Sequence, residues 1–178
     1  MTVIAAKYTS DRSMIEFAAD DQTTSGTLVV GRESAHTNKL FSESGLTVGG
    51  TGYSYETNLF AHFLRNHRPL APHQYAVVDL MLEFEEWLAK KRSDTKIQNQ
   101  YLIAVDCSLF RVYDGLSVFS VPEFEAIGAG EDFAKSALHC GKTPMEACVV
   151  ACELSIYCSL PIKTMSHVAK THSEGESK

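Results

Sequence analysis

The chain has 178 residues, 44% apolar and 21% charged, the balance of one globular domain long enough to bury a real core. A formal net charge of −6 and an isoelectric point near 5.6 exclude the basic footprint of a dedicated nucleic-acid binder. No apolar run approaches a membrane span and the start lacks the basic-then-apolar order of a signal peptide, so a cytoplasmic protein is expected.

In chain order, Thr2 to Ala6 and Met14 to Ala19 read as two strands of a hairpin across a polar turn. Asp20-Asp21-Gln22 closes the second strand, Thr23 to Gly26 is loop, and Leu28-Val29-Val30 is apolar but brief. Lys39-Leu40-Phe41 leads to a Ser42-Glu43-Ser44-Gly45 turn, and a strand returns at Leu46. Glu56 to Asn66 carries Leu59, Phe60, Phe63 and Leu64 at helical spacing. A second amphipathic helix is predicted from His73 to Lys91, with Pro72 at its start and a basic end at Lys90-Lys91-Arg92. Its large apolar residues read mostly as a core face, with an excess over one buried stripe that suggests subunit contacts.

Strand patterns then resume at Tyr101 to Val105, Leu109 to Tyr113 and Ser117 to Val121, the last two joined by an Asp114-Gly115 hairpin signal. Glu125 to Gly130 is a further strand ending in glycines. Helices are predicted for Asp132 to His139 and for Pro144 to Tyr157, with Thr143 as N-cap and Pro144 at N1. Ile162 to Val168 is the final strand, and Lys170 to Lys178 a polar, disordered tail after a single domain spanning residues 1–169. Strands come in antiparallel blocks separated by helix pairs, not as alternating βαβ units. The expected class is therefore α+β, a four-layer αββα sandwich.

The cysteines Cys107, Cys140, Cys148, Cys152 and Cys158 are odd in number and contain no CxxC pair. They read as buried, reduced thiols, and no metal is expected because a second ligand pair at suitable spacing is missing. Gly141-Lys142-Thr143 is not a phosphate loop, since the first glycine at the required distance and a preceding strand are both missing.

The stretch with chemical promise is Leu46 to Gly52. A short apolar strand ends in Gly49-Gly50-Thr51-Gly52 and a helical pattern opens directly after it. Glycines there let the chain turn sharply and leave main-chain N–H groups uncovered at a helix start, a place that can hold a developing negative charge. A plain strand-to-helix turn fits the same residues.

The order of these motifs resembles the proteasome β-subunits and HslV-type peptidases, which are N-terminal-nucleophile hydrolases. Thr2 follows Met1 directly. Ala18-Ala19-Asp20, with Gly26 a few residues on, is similar to the strand end that carries the family's aspartate. Asn38-Lys39-Leu40-Phe41 is similar to its lysine segment, Gly49-Gly50-Thr51-Gly52 to its oxyanion turn, and Gly128-Ala129-Gly130 to its Gly-Ser-Gly turn. The resemblance implies that Thr2 is the nucleophile once Met1 is removed, with its own α-amine as base. It implies that Lys39 lowers the hydroxyl pKa, that Asp20 orients Lys39, and that Gly52, with Gly50, binds the oxyanion. It also implies no cofactor, a peptide or unfolded-protein substrate, a homo-oligomeric ring and an AAA+ unfoldase as ATP-binding partner.

Several positions depart from the pattern. Asp20 and Lys39 are further apart than the family spacing, and the other register puts His36 in the lysine's place. Ala129 stands where the family has a supporting serine, and Glu153 where it has a supporting aspartate. Two readings stay open: a threonine peptidase, and a catalytically inactive ring or binding protein that keeps Met1.

Overall fold

The computed structural model describes residues 2–25, 28–29, 39–92 and 96–168. Strands β1 (Val3–Tyr8) and β2 (Met14–Asp20) are followed by the two-residue strands β3 (Thr24–Ser25) and β4 (Leu28–Val29), then β5 (Leu40–Glu43) and β6 (Leu46–Thr51). Helices α1 (Ser54–Leu64) and α2 (Gln74–Ala89) precede β7 (Gln100–Val105), β8 (Ser108–Val112), β9 (Val118–Val121) and β10 (Phe124–Gly128). Helices α3 (Glu131–His139) and α4 (Pro144–Leu154) and strand β11 (Ile162–Val168) complete the described chain. Gly26, His36, Asn38 and the 170–178 tail lie outside it.

Two antiparallel sheets hold the core, one in the order β10-β1-β2-β11 and the other in the order β5-β6-β7-β8-β9, while β3 and β4 form a separate ribbon. Period-2 alternation assigns each central strand to two layers at once. In β1, Val3 and Ala5 face the cluster under α3 and α4, while Ile4 and Ala6 face the layer between the sheets. In β7, Tyr101, Ile103 and Val105 face the cluster under α1 and α2, while Leu102 and Ala104 join the inter-sheet layer. This explains why both strands read as continuous apolar runs: each is covered on both faces. The architecture is the αββα sandwich the sequence predicts.

The two helix layers are packed differently. Phe60, Phe63, Phe84 and Tyr101 fill the α1–α2 side, where each fully buried aromatic contributes about 2–3 kcal/mol. The α3–α4 side is built from Ala134, Ala137, Ala147, Cys148 and Ala151, whose small side chains bring those helices close to β1 and β2. Gly49 permits a similar approach of the sheets: a Cβ there would lie 2.8 Å from Ile4 Cγ2.

Boundaries shift by a few residues from expectation. β1 runs on to Tyr8, β6 to Thr51, and α1 begins at Ser54, not Glu56. Helix α2 is capped by His73, whose ring accepts from the Ala76 N–H at 3.1 Å, so Pro72 precedes the cap instead of starting the helix. Helix α4 has the expected Thr143 cap and Pro144 at N1, completed as a capping box by Glu146, but it stops at Leu154 because Ser155 turns extended. Cys107 and Cys140 are exposed, contrary to the expectation of burial, whereas Cys148 and Cys158 are buried. Among the described residues, no helix is long and apolar enough to cross a membrane.

Candidate active site

The two sheets meet at one end around the carboxylate of Asp20, the last residue of β2, which is 1% exposed. Its Oδ1 accepts three hydrogen bonds: from Thr2 Oγ1 at 3.0 Å, from the Val3 N–H at 2.9 Å and from Lys39 Nζ at 2.7 Å. Its Oδ2 accepts from the N–H groups of Gln22 (3.2 Å) and Ser159 (3.3 Å). Five donors thus stabilise the ionised form of a buried carboxylate that would otherwise be costly. Thr2, Asp20 and Lys39, three of the residues the sequence singles out, are thus brought together, while His36, the alternative to Lys39, lies outside the described residues.

Burial pushes the Lys39 ammonium pKa below its usual range, opposed by attraction and hydrogen bonding from Asp20. The side chain is 14% exposed, the lone side of the pair open to solvent. It reaches the site because β5 begins immediately after it, and the β5–β6 hairpin places it beside Gly50.

Thr2 is held from behind. Its carbonyl accepts from the Gly130 N–H at 3.2 Å. Gly128, at φ +98°, passes so close that a Cβ would lie 2.5 Å from the same carbonyl oxygen. A Cβ on Gly130 would sit 2.8 Å from Cys158 Sγ and 3.0 Å from Val3 Cβ. The Gly128-Ala129-Gly130 turn therefore seats the Thr2 main chain. It offers no side-chain donor there, because Ala129 is exposed and apolar. Glu153 is not in the site either. It faces solvent on α4, and the backbone of Ser159 supports Asp20 from that side.

A cleft of about 170 Å³ opens onto Thr2 and Lys39, bordered by Gly52, Tyr53, Ser54 and Thr57 at the start of α1. Helix α1 has Tyr53 as N-cap with no side-chain cap, so its positive end faces the cleft. The Gly52 N–H has no partner among the described residues, at φ +127° just beyond the end of β6. The Gly50 N–H, by contrast, donates to the Lys39 carbonyl at 2.8 Å, just before the first paired residue of β5.

Behind the turn lies a polar network that sequence reasoning missed. Buried Glu56 accepts from the Gln98 and Asn99 N–H groups and from the Tyr101 hydroxyl, each at 3.0 Å. Its only sequence signal is an acid in the first turn of a helix, which is ordinary at solvent-facing helix starts. The cysteines near the site are not nucleophiles. Burial pushes the Cys158 thiol up to about 11 and the Cys152 thiol up to about 12, each with Asp20 as the next cause, so both stay protonated at neutral pH.

No family model and no curated protein sequence matches the chain. Solved structures do. BPH from Thiobacillus denitrificans, in complex with epoxomicin, superposes with a TM-score of 0.84 at 17% identity, covering 96% of this chain and 100% of that one. HslV from Trypanosoma brucei gives 0.73 at 18% identity, over 93% and 98% of the two chains. The chain has the proteasome-like fold. Anbu, an ancestral β-subunit from Yersinia bercovieri, shares it with a TM-score of 0.67 at 17% identity, over 94% of this chain and 82% of that one. In this proteasome-like chain the Thr2, Asp20 and Lys39 cluster lies at one end of the sandwich, where β1, β2 and β5 meet.

Proposed function

We propose that this chain is a threonine peptidase that hydrolyses peptide bonds through Thr2 after Met1 is removed. The observation that carries the reading is the convergence of Thr2 Oγ1 and Lys39 Nζ on one oxygen of buried Asp20, in a cleft bordered by Gly52, whose N–H has no partner among the described residues. While Met1 is attached, the Thr2 nitrogen is an amide and no base is available. Once Met1 is cleaved, the α-amine takes the hydroxyl proton as Oγ1 attacks the scissile carbonyl carbon. Lys39 stabilises the developing alkoxide, and the Gly52 N–H donates to the oxyanion. The amine then protonates the leaving amine, and water attacks the resulting Thr2 ester to release the second product.

A peptidase of broad cleavage needs shielding from folded proteins. The reading therefore includes a homo-oligomeric ring with inward-facing clefts, fed by an AAA+ unfoldase, in the cytoplasm. BPH of the same fold forms a complex with epoxomicin, so binding of that compound is a further probe of the reading here. A non-catalytic ring or binding subunit is the second reading, favoured by the missing side-chain donor at Ala129 and the distant Glu153.

One experiment separates the two. Intact mass of protein purified from cells is expected to lack one methionine, and the protein is expected to cleave fluorogenic peptides, with Thr2→Ala abolishing cleavage. Retention of Met1 in essentially every molecule overturns the catalytic reading.

A further inference from the structure

The Asn99 side chain is fully buried directly behind Gly52, yet it touches neither Thr2, Asp20 nor Lys39. Its amide grips the two peptide groups that follow Gly52, one through the Tyr53 N–H and the other through the Tyr53 carbonyl. Oδ1 accepts from the Tyr53 N–H at 2.6 Å, and Nδ2 donates to the Tyr53 carbonyl at 2.9 Å and to Thr57 Oγ1 at 3.0 Å. It also occupies the space where a side chain on Gly52 would go: a Cβ there would lie 2.2 Å from Asn99 Oδ1. Asn99 is held in its turn. Its N–H and that of Gln98 bind the two oxygens of Glu56, whose Oε1 also accepts from the Tyr101 hydroxyl.

The carboxylate of Glu56, the amide of Asn99 and the hydroxyl of Tyr101 are each hydrogen-bonded and buried, so this part of the network resists rearrangement. A primary amide is the side chain that can accept from one N–H while donating to the neighbouring carbonyl. Aspartate has the same shape but cannot donate when ionised. Packing alone would not need that donor, whereas fixing the rotation of a peptide does.

We infer that Asn99 is a positioning residue that sets the direction of the Gly52 N–H, with Glu56 and Tyr101 holding it in register. The inference rests on the peptidase reading for its consequence but not for its geometry. Asn99→Asp places a carboxylate oxygen against the Tyr53 carbonyl, and the two repel. The Tyr53–Ser54 peptide turns away, the hold on the Gly52–Tyr53 peptide loosens with it, and the backbone at Gly52 no longer keeps its N–H on the line to the oxyanion.

The test uses the full chain with Met1 removed, as wild type, N99D and Y101F. N99D is expected to lose about 10- to 100-fold in kcat with KM within about twofold. Inhibition by a peptide aldehyde, whose hemiacetal oxygen occupies the same place as the oxyanion, is expected to weaken by the same factor. Hydrogen exchange of the 52–57 amides is read on the same samples and is expected to quicken in N99D. A folded N99D with wild-type kcat and wild-type exchange overturns the inference. If wild type itself does not cleave peptides, the peptidase reading fails, and exchange alone then decides whether the clamp is real. If N99D does not fold, Y101F, which removes one hydrogen bond from the same network, decides: a kcat loss of a few-fold at constant KM supports the inference, and wild-type kcat overturns it.

Discussion

Asp20→Asn tests whether the buried ion pair organises the site. The substitution keeps the shape of the side chain and removes its charge, leaving Lys39, at 14% exposure, without its ion-pair partner. It also sets an amide against five donors: Thr2, Val3, Lys39, Gln22 and Ser159. Breaking a buried pair on one side costs about 3–5 kcal/mol. The loss has a ceiling, because Lys39 can shed its proton. For a lysine with the ordinary pKa of 10.5, that costs about 5 kcal/mol at pH 7 and about 0.7 kcal/mol at pH 10. The sign follows from burial, which puts the folded-state pKa of Lys39 below its unfolded value. Between the two values the unfolded chain binds more protons, so stability rises with pH in that window. Without Asp20 the folded pKa falls further and the window widens downward. The variant is therefore expected to be about 3–5 kcal/mol less stable than wild type at pH 7, and about 1–3 kcal/mol less stable at pH 10, where only unpaired hydrogen-bond donors remain. Urea unfolding of both proteins at one protein concentration and several pH values reads the difference directly. A difference that stays flat from pH 7 to pH 10 would refute the claim that Lys39 charge is what Asp20 stabilises.

Two further substitutions separate site from scaffold. Gly52→Ala adds a Cβ at φ +127° against the Asn99 side chain and is expected to cost about 1–3 kcal/mol and at least about 100-fold in kcat, read by unfolding midpoint and peptide cleavage. Thr143→Ala removes the exposed capping box of α4, far from the cleft. It is expected to lower stability by about 1 kcal/mol, a shift of about 2–4 °C in the thermal midpoint, with peptide cleavage unchanged.

Most of the fold is legible in the sequence because its signals are local. The helical spacing of Leu59, Phe60, Phe63 and Leu64, the Thr143-Pro144 start and the Asp114-Gly115 hairpin each report on a few neighbouring residues. Strand length is less legible: β1 extends two residues past Ala6 because Glu16 and Phe124 supply partners to Lys7 from distant parts of the chain. The site divides the same way. Asp20 and Lys39 stand at strand ends whose order betrays them. The Glu56–Asn99–Tyr101 network cannot be read, since a buried carboxylate and a buried amide have the composition of a solvated loop until the partners 42 to 45 residues away are placed. The bond from the Gly50 N–H is hidden for a related reason. Which N–H in a glycine run is free depends on the ladder's register, and only the pairing of Leu40 with Gly49 fixes it.

That register matters because the site straddles the sheets. Thr2 and Asp20 belong to the sheet of β1 and β2, whereas Lys39 and Gly52 flank β5 and β6 in the other. The separation of the sheets therefore sets the distance between Thr2 and the Gly52 N–H. Beside the site it is set by Ile4 against Gly49, where no side chain larger than hydrogen fits on β6. The first glycine of the run acts on the geometry by what it lacks, and the last by an N–H that has no partner among the described residues. A close-packed interior transmits a displacement at Ile4 to the cleft instead of absorbing it. The inter-sheet core and the candidate chemistry are in this sense one structure: Ile4 lies two residues from Thr2 on the same strand, and its neighbour Val3 donates its own N–H to Asp20.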